Sequence, residues 1–173
     1  LNDGGLHEVL DMGCWTPVEH LAVDFEATWH TRQLSSDGSE FEVICDGESA
    51  GTLRWELTGR HNVANALAAL AAARHAGVPP ARGVEALSRF ENVKRRMELR
   101  GTENGVAVYD DFAHHPTAIE TTLQGLRARV GDARIHAVLE PRSNTMRMGV
   151  HAEALADSLI EADTVHVYAA PEL

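Results

Sequence analysis

The 173-residue sequence predicts an α/β protein made of two consecutive parts, on three observations. Residues 24 to 57 alternate apolar and polar positions as antiparallel strands do. Residues 63 to 73 are almost wholly alanine and leucine, the composition of a strong helix. From residue 105 onward strand, helix, strand, helix and strand patterns succeed one another with short joins, which is the order of a parallel sheet with right-handed crossovers.

Taken in order, "FEATWHTRQL", "SEFEVIC" and "GTLRWEL" read as three antiparallel strands, broken at "SSDG" and "DGESAG", both suited to hairpin turns. "HNVANALAALAAARHAG" reads as a helix ended by Gly77, Pro79 and Pro80, and its many alanines permit close packing on a sheet or another helix. "PARGVEALSRF" continues as a second helix from Pro80 to about Phe90. "MELRGTENGVAVYDD" then reads as a short hairpin ending in a buried strand over 105 to 110. A helix over 116 to 129, a strand over 134 to 140, a helix over 150 to 161 and a strand over 164 to 170 complete the chain. The boundary between the two parts falls near residues 91 to 96.

Composition excludes several classes. Hydrophobic content of 44% with 24% charged residues is ordinary for a globular chain able to bury a core. No run of about 18 apolar residues is present to span a bilayer, and "LNDGGLHEVLD" lacks the basic and apolar regions of a signal peptide, so a cytoplasmic location is expected. A net charge of -11 argues against nucleic acid and acidic membranes as partners. Cys14 and Cys45 stand in unrelated contexts with no CxxC or Cys/His ladder, so free thiols are expected and a structural zinc is not. Against this acidic background Lys94, Arg95, Arg96 and Arg100 cluster in "VKRRMELR", suited to a small anion or simply to a solvated linker.

Three loops carry the chemistry. In "YDDFAHHPTAI", Asp110 and Asp111 end an apolar run, and His114 and His115 precede Pro116, a residue suited to the first position of a helix. The histidines thus sit at a helix N-terminus, which favours phosphate or carboxylate. The plainer alternative is that His115 caps the helix while Asp110 and Asp111 bond nearby backbone. "EPRSNT" brings Glu140, Arg142, Ser143 and Asn144 to the end of the next strand, on the same edge of the sheet, where open α/β sheets gather ligands. Arg142 offers a fork matched to carboxylate or phosphate, or else pairs with Glu140 in a capped turn. "RHNVANA" sets Asn62 and Asn65 at i, i+3 and His61 and Asn65 at i, i+4 near the start of the alanine-rich helix. Their amides can read a purine edge, although capping by Asn62 accounts for the pattern nearly as well. Adjacent histidines do not converge easily on one ion, so no metal site is assigned and a histidine-based metal hydrolase is disfavoured.

"GRHNVANALAALAAARHAGV", "FENVKRRMELRG", "VYDDFAHHPTAI" and "LEPRSNTMRMG", in this order and spacing, closely resemble the Mur ligases, from about Gly13 to the end of the chain. Family members have a UDP-sugar domain, a central ATPase domain and a Rossmann-like C-terminal domain. The resemblance implies that residues 1–92 are the C-terminal part of the central domain and residues 93–173 begin the C-terminal one. No GxxxxGK[ST] loop occurs, and Lys94 is the sole lysine. The UDP-sugar domain, the phosphate loop and the main Mg²⁺ ligands are therefore expected in the rest of the polypeptide, and the chain alone is expected to be inactive.

The implied reaction is ATP-dependent amide formation. A muramic acid carboxylate attacks the γ-phosphate, and an amine displaces phosphate from the acyl phosphate so formed; positioning and charge stabilisation do most of this work. By resemblance His61, Asn62 and Asn65 serve the adenine side, Arg96 approaches the nucleotide from the C-terminal domain, and Asp111 lies near the ribose. His114 faces the phosphates as a catalytic residue. Arg142, Ser143 and Asn144, with His115, lie where the incoming amino substrate is met, and Arg142 is assigned a catalytic role as well. Within the family the resemblance is nearest to members that join UDP-N-acetylmuramate to the cell-wall tripeptide L-Ala-γ-D-Glu-meso-diaminopimelate in peptidoglycan recycling. Members that add L-alanine are the alternative, and a non-catalytic nucleotide-binding module is the reading from another class.

Overall fold

The computed structural model describes residues 4–32, 34–141, 146, 148 and 152–168. After a first helix, α1 (Gly4–Asp11), come strands β1 (Leu21–Ala22), β2 (Trp29–Arg32), β3 (Glu40–Cys45) and β4 (Glu48–Arg54), then helices α2 (Arg60–His75) and α3 (Pro80–Leu87). The strands form one sheet in the order β1-β2-β3-β4. The expected three antiparallel strands are present, with the two-residue β1 added in parallel on β2. The second hairpin turns at Asp46 and Gly47 alone, with φ of 52° and 81°, the pair of positive angles a tight hairpin needs. Strand β4 therefore resumes at Glu48, earlier than expected from "DGESAG", and a bulge opposite Val43 and Ile44 absorbs the extra residue.

Helix α2 buries Val63, Ala66, Leu67 and Leu70, a one-sided i, i+3, i+4, i+7 stripe. The stripe packs with Trp29, Phe41, Val43 and Leu53 of the sheet into a core from which solvent is excluded. Helix α3 lies close on α2 because Gly83 has no side chain: a Cβ there would come within 2.6 Å of the Leu70 Cδ2. Both cysteines are free, Cys14 exposed and Cys45 buried, as expected.

The second part holds the hairpin β5 (Glu98–Glu103) and β6 (Val106–Asp110), helix α4 (Pro116–Val130), strand β7 (His136–Leu139), helix α5 (Ala152–Asp157) and strand β8 (Thr164–Val167). Strands β7 and β8 pair in parallel, as the alternating pattern requires. Two expectations are corrected. Strand β6 is hydrogen-bonded to β5 and not to β7, and it is exposed, with Val106 at 61% and Val108 at 54%. The reason lies in its partners: β6 spends one edge on β5, and its C-terminal end is drawn to the preceding turn by an Arg95–Asp110 ion pair and a Phe112 N–H bond to the Arg95 carbonyl. A second, smaller core of Ile119, Leu123, Ile135 and Leu159 joins α4 to the β7–β8 pair. Arg127 reinforces that junction, donating to the carbonyls of Gly131, Ala133 and Glu161 and to Asp163.

Candidate functional site

Between the two parts runs a cleft of about 480 Å³, within the range of small-molecule sites. The first turns of α2 bring His61, Asn62 and Asn65 to it, with Trp55 and Thr58 from the segment before the helix. Phe90, Arg96 and Asp111 face them, and α4 contributes Thr122, Leu126 and Arg129. Five residues singled out in the sequence, from three separate stretches, thus line one cavity.

Local arrangements hold Asn62, the Arg96 turn and Asp111. Asn62 is not the cap of α2: Gly59 is, with φ of 90° and no side-chain bond, and the Asn62 Nδ2 donates back to the Thr58 carbonyl at 2.8 Å. That bond turns the amide along the cleft wall and leaves its oxygen as an acceptor. His61 is half-buried, and its Nδ1 is buried without a hydrogen-bond partner, a polar atom for which a ligand could supply one. Burial pushes the imidazole below its ordinary value of 6.5, with Asp111 opposing and Arg96 adding to the shift, so the neutral ring is favoured.

Across the cleft, Arg96 sits in a turn whose flanking residues, Arg95 and Met97, both hold positive φ, 60° and 48°. Such angles cost of order 1 kcal/mol each in a residue with a side chain and persist only where neighbours fix them. Here the fixing groups are visible. The Asp111 Oδ2 accepts from the Met97 N–H at 2.8 Å, the Glu98 carboxylate accepts from the Arg95 N–H at 2.9 Å, and the Asn92 amide bonds the Arg96 carbonyl. The Arg95 and Arg96 guanidinium groups lie 5.3 and 6.0 Å from the Phe112 ring centroid, a cation–π arrangement.

Asp111 also accepts from the Ala113 N–H through its other oxygen at 2.7 Å, so both oxygens carry backbone bonds. The alternative weighed for the acids, bonding to nearby backbone, describes Asp111; Asp110 pairs with Arg95 instead. His114 and His115 do stand at the start of α4, with His115 in the cap position, extended and making no side-chain cap bond. Both are exposed and neither lines the cleft; the His114 Nδ1 meets the Phe112 carbonyl at 3.0 Å. Arg142, Ser143 and Asn144 lie outside the described residues. Among the described residues no group of three or more His, Cys, Asp or Glu could hold a metal ion.

Sequence reasoning missed Trp55, Phe90, Thr122 and Arg129. The first two read as an ordinary strand and a helix end, and the last two simply as part of the helix over 116 to 129. No local signal marks them, because their shared surface exists only once the two parts meet.

The Mur ligase, glutamate ligase domain family matches residues 95–172. The chain is 54% identical over 165 residues, 95% of its length, to the UDP-N-acetylmuramate--L-alanyl-gamma-D-glutamyl-meso-2,6-diaminoheptandioate ligase of Escherichia coli (strain K12), covering 36% of that protein. Over residues 95–172 the chain belongs to the Mur ligases. Other Mur ligases agree: a murein peptide ligase crystal structure from Psychrobacter arcticus 273-4 superposes with a TM-score of 0.67 at 44% identity, covering 97% of this chain and 36% of that one. The UDP-N-acetylmuramate--L-alanine ligase of Streptomyces avermitilis is 44% identical over 130 residues, 72% of this chain and 28% of that protein. The chain thus spans about a third of the length of the Mur ligases it matches.

Proposed function

We propose that this chain is the nucleotide-facing part of an ATP-dependent amide ligase that joins UDP-N-acetylmuramate to the tripeptide L-Ala-γ-D-Glu-meso-diaminopimelate. The activity is that of a longer polypeptide containing the chain, acting in the cytoplasm in peptidoglycan recycling. One observation carries the reading: His61, Asn62 and Asn65 of the first part and Arg96 of the second converge on one cleft. Two amides and an unmet imidazole nitrogen offer donors and acceptors suited to a purine edge, and a guanidinium suits its phosphates. Higher identity to the tripeptide-adding relative than to the L-alanine-adding one supports the choice of amine.

When bound, ATP supplies the phosphoryl group that activates a carboxylate for attack by the amine. The chain's own part is to hold and orient. Asn62 and Asn65 take the donor and acceptor edge of the base, and the unpartnered His61 Nδ1 supplies one further hydrogen bond there. Arg96 is directed to the phosphates as a fixed positive charge in a turn braced before any ligand arrives, the pre-organisation that electrostatic stabilisation rests on. Asp111 acts through that turn by holding the Met97 N–H. Mg²⁺ is assigned no ligand here, since the described residues offer no acidic cluster and Asp111 is engaged with backbone. His114 is proposed as the catalytic residue facing the phosphates, and His115, Arg142, Ser143 and Asn144 for the side where the amine enters, with Arg142 catalytic there as well.

The test is ligation by the complete polypeptide that carries this chain, following phosphate release and product mass with UDP-N-acetylmuramate and either tripeptide or L-alanine. Tripeptide product is expected, with Arg96→Ala reducing kcat/KM by at least about 100-fold. For the 173 residues alone, ATP binding weaker than about 1 mM and no turnover are expected, because they contain no GxxxxGK[ST] loop to hold the phosphates. Robust turnover by the chain alone, or no ligation by the complete polypeptide, would overturn the reading.

A further inference from the structure

The two parts of the chain touch through a small, unusually close contact beside the cleft. Gly125, buried on α4, faces Gly59 at the start of α2; a Cβ on Gly125 would fall 2.9 Å from the Gly59 Cα and 3.0 Å from its nitrogen. Backbone approaches backbone here, which only a residue without a side chain permits. One turn further along the same face of α4, at i, i+4, Arg129 reaches to Asp37 in the turn between β2 and β3, with its Nε 3.2 Å from the Asp37 Oδ2.

Asp37 is prepared for this contact from its own side. Its Oδ1 accepts from the Ser35 hydroxyl at 3.0 Å and from the Ser39 N–H and hydroxyl at 3.0 and 2.7 Å. Its carbonyl accepts the Gly59 N–H at 2.7 Å, so the same residue that pairs with Arg129 also fixes the backbone against which Gly125 rests. Burial alone would raise the Asp37 carboxyl, but the bonds from Ser39, Ser35 and Arg129 together hold it down at about 2, an ionised group at any physiological pH. The pair is part-exposed, with the Asp37 side chain 17% and that of Arg129 32% exposed.

The position of this contact gives it a consequence. Arg129, Leu126 and Thr122 line the same cleft as His61 and Asn62, and α4 follows directly on the Asp111 loop that braces Arg96. We propose that the Asp37–Arg129 pair, seated beside the Gly59–Gly125 contact, is a latch between the two parts that sets the width of the cleft, with Asp37 and Arg129 as positioning residues. The geometric half of this inference stands without the nucleotide reading; only its affinity half rests on that reading. A surface pair that served stability alone would not alter the separation of the two parts.

The experiment measures that separation. Nitroxide labels are attached to the full chain at Glu48→Cys and Glu103→Cys, the tips of the two exposed hairpins, in a Cys14→Ser, Cys45→Ala background, and their distance distribution is read by pulsed electron spin resonance. Asp37→Asn and Arg129→Gln are each expected to broaden or lengthen the distribution, the double variant no more than either single one, and Arg129→Lys to retain most of the original narrow peak. Gly125→Ala, which pries the backbones apart without touching a charge, is expected to shift the peak in the same direction. In the complete polypeptide both charge variants are expected to weaken ATP binding by the same factor, about two- to fivefold for a part-exposed pair. Unchanged distances in Asp37→Asn and Arg129→Gln overturn the latch, whatever the ATP result. Weakened ATP binding in Arg129→Gln but not in Asp37→Asn also overturns it, since Arg129 would then be touching the ligand itself. Changed distances with no ATP binding by the unaltered polypeptide would uphold the latch and defeat the nucleotide reading.

Discussion

The first part of the chain is a closed structure and the second is an open one. Between the β1–β4 sheet and α2 the core residues Trp29, Phe41, Leu53, Val63 and Leu67 are wholly buried. Among the described residues of the second part, four buried side chains make the core, none of them fully buried, and valines of β6, β7 and β8 face solvent. Hydrophobic stabilisation scales with apolar area removed from water, so the first part carries most of the stability and the second is held by polar struts such as Arg127.

The largest effect that tests this contrast is a core truncation. Leu67→Ala is expected to cost about 2–5 kcal/mol, as for a fully packed leucine, and Leu123→Ala to lie at or below the low end of that range. Urea unfolding followed by circular dichroism gives both; equal losses would erase the distinction. Arg127→Ala comes next, about 2 kcal/mol, since three carbonyls and Asp163 lose a charged donor that is mostly shielded. Faster hydrogen exchange at the Ile135 amide, which donates to Asp163, should report it while the β3–β4 amides stay protected.

Smaller still is Asp111→Asn. The replacement has one acceptor oxygen where two N–H groups need one each, so either Met97 or Ala113 loses its partner at about 1 kcal/mol. Amide chemical shifts of those two residues should move while α2 is undisturbed. The smallest effect is a pH dependence. His61 has its folded value depressed by burial, so the unfolded chain binds the proton more readily. Its contribution is complete above the ordinary value of 6.5 and is lost as pH falls from there toward the folded value. Stability measured between pH 7.5 and 5.5 should therefore decline on acidification, and His61→Gln should flatten that decline.

Much of this was readable from local pattern because local physics decided it. Asp46-Gly47 and Asn104-Gly105 both make two-residue turns with positive φ at each position, and the alanine-rich stretch could only be helix. The pair of asparagines on α2 was legible for the same reason, since helical spacing alone puts them on one side. Strand β6 misled because a run of valines signals burial only on average; what covers a strand is set by distant parts of the chain. Arg95 and Met97 gave no sign of their backbone angles, since no glycine or asparagine marks them and the cause is a carboxylate fourteen residues beyond Met97. Arg129 was invisible for a similar reason: its partner is 92 residues away.

The meeting of Gly59 and Gly125 also bears on how such a molecule can change over generations. A methyl group on Gly125 meets backbone, which cannot swing aside as a side chain would. Drift at either position is therefore tied to the other, and a bulkier residue can enter only alongside a change in how helix and loop are docked. Two hydrogens, standing where side chains would be, thus tether the ancestry of one half of the protein to that of the other.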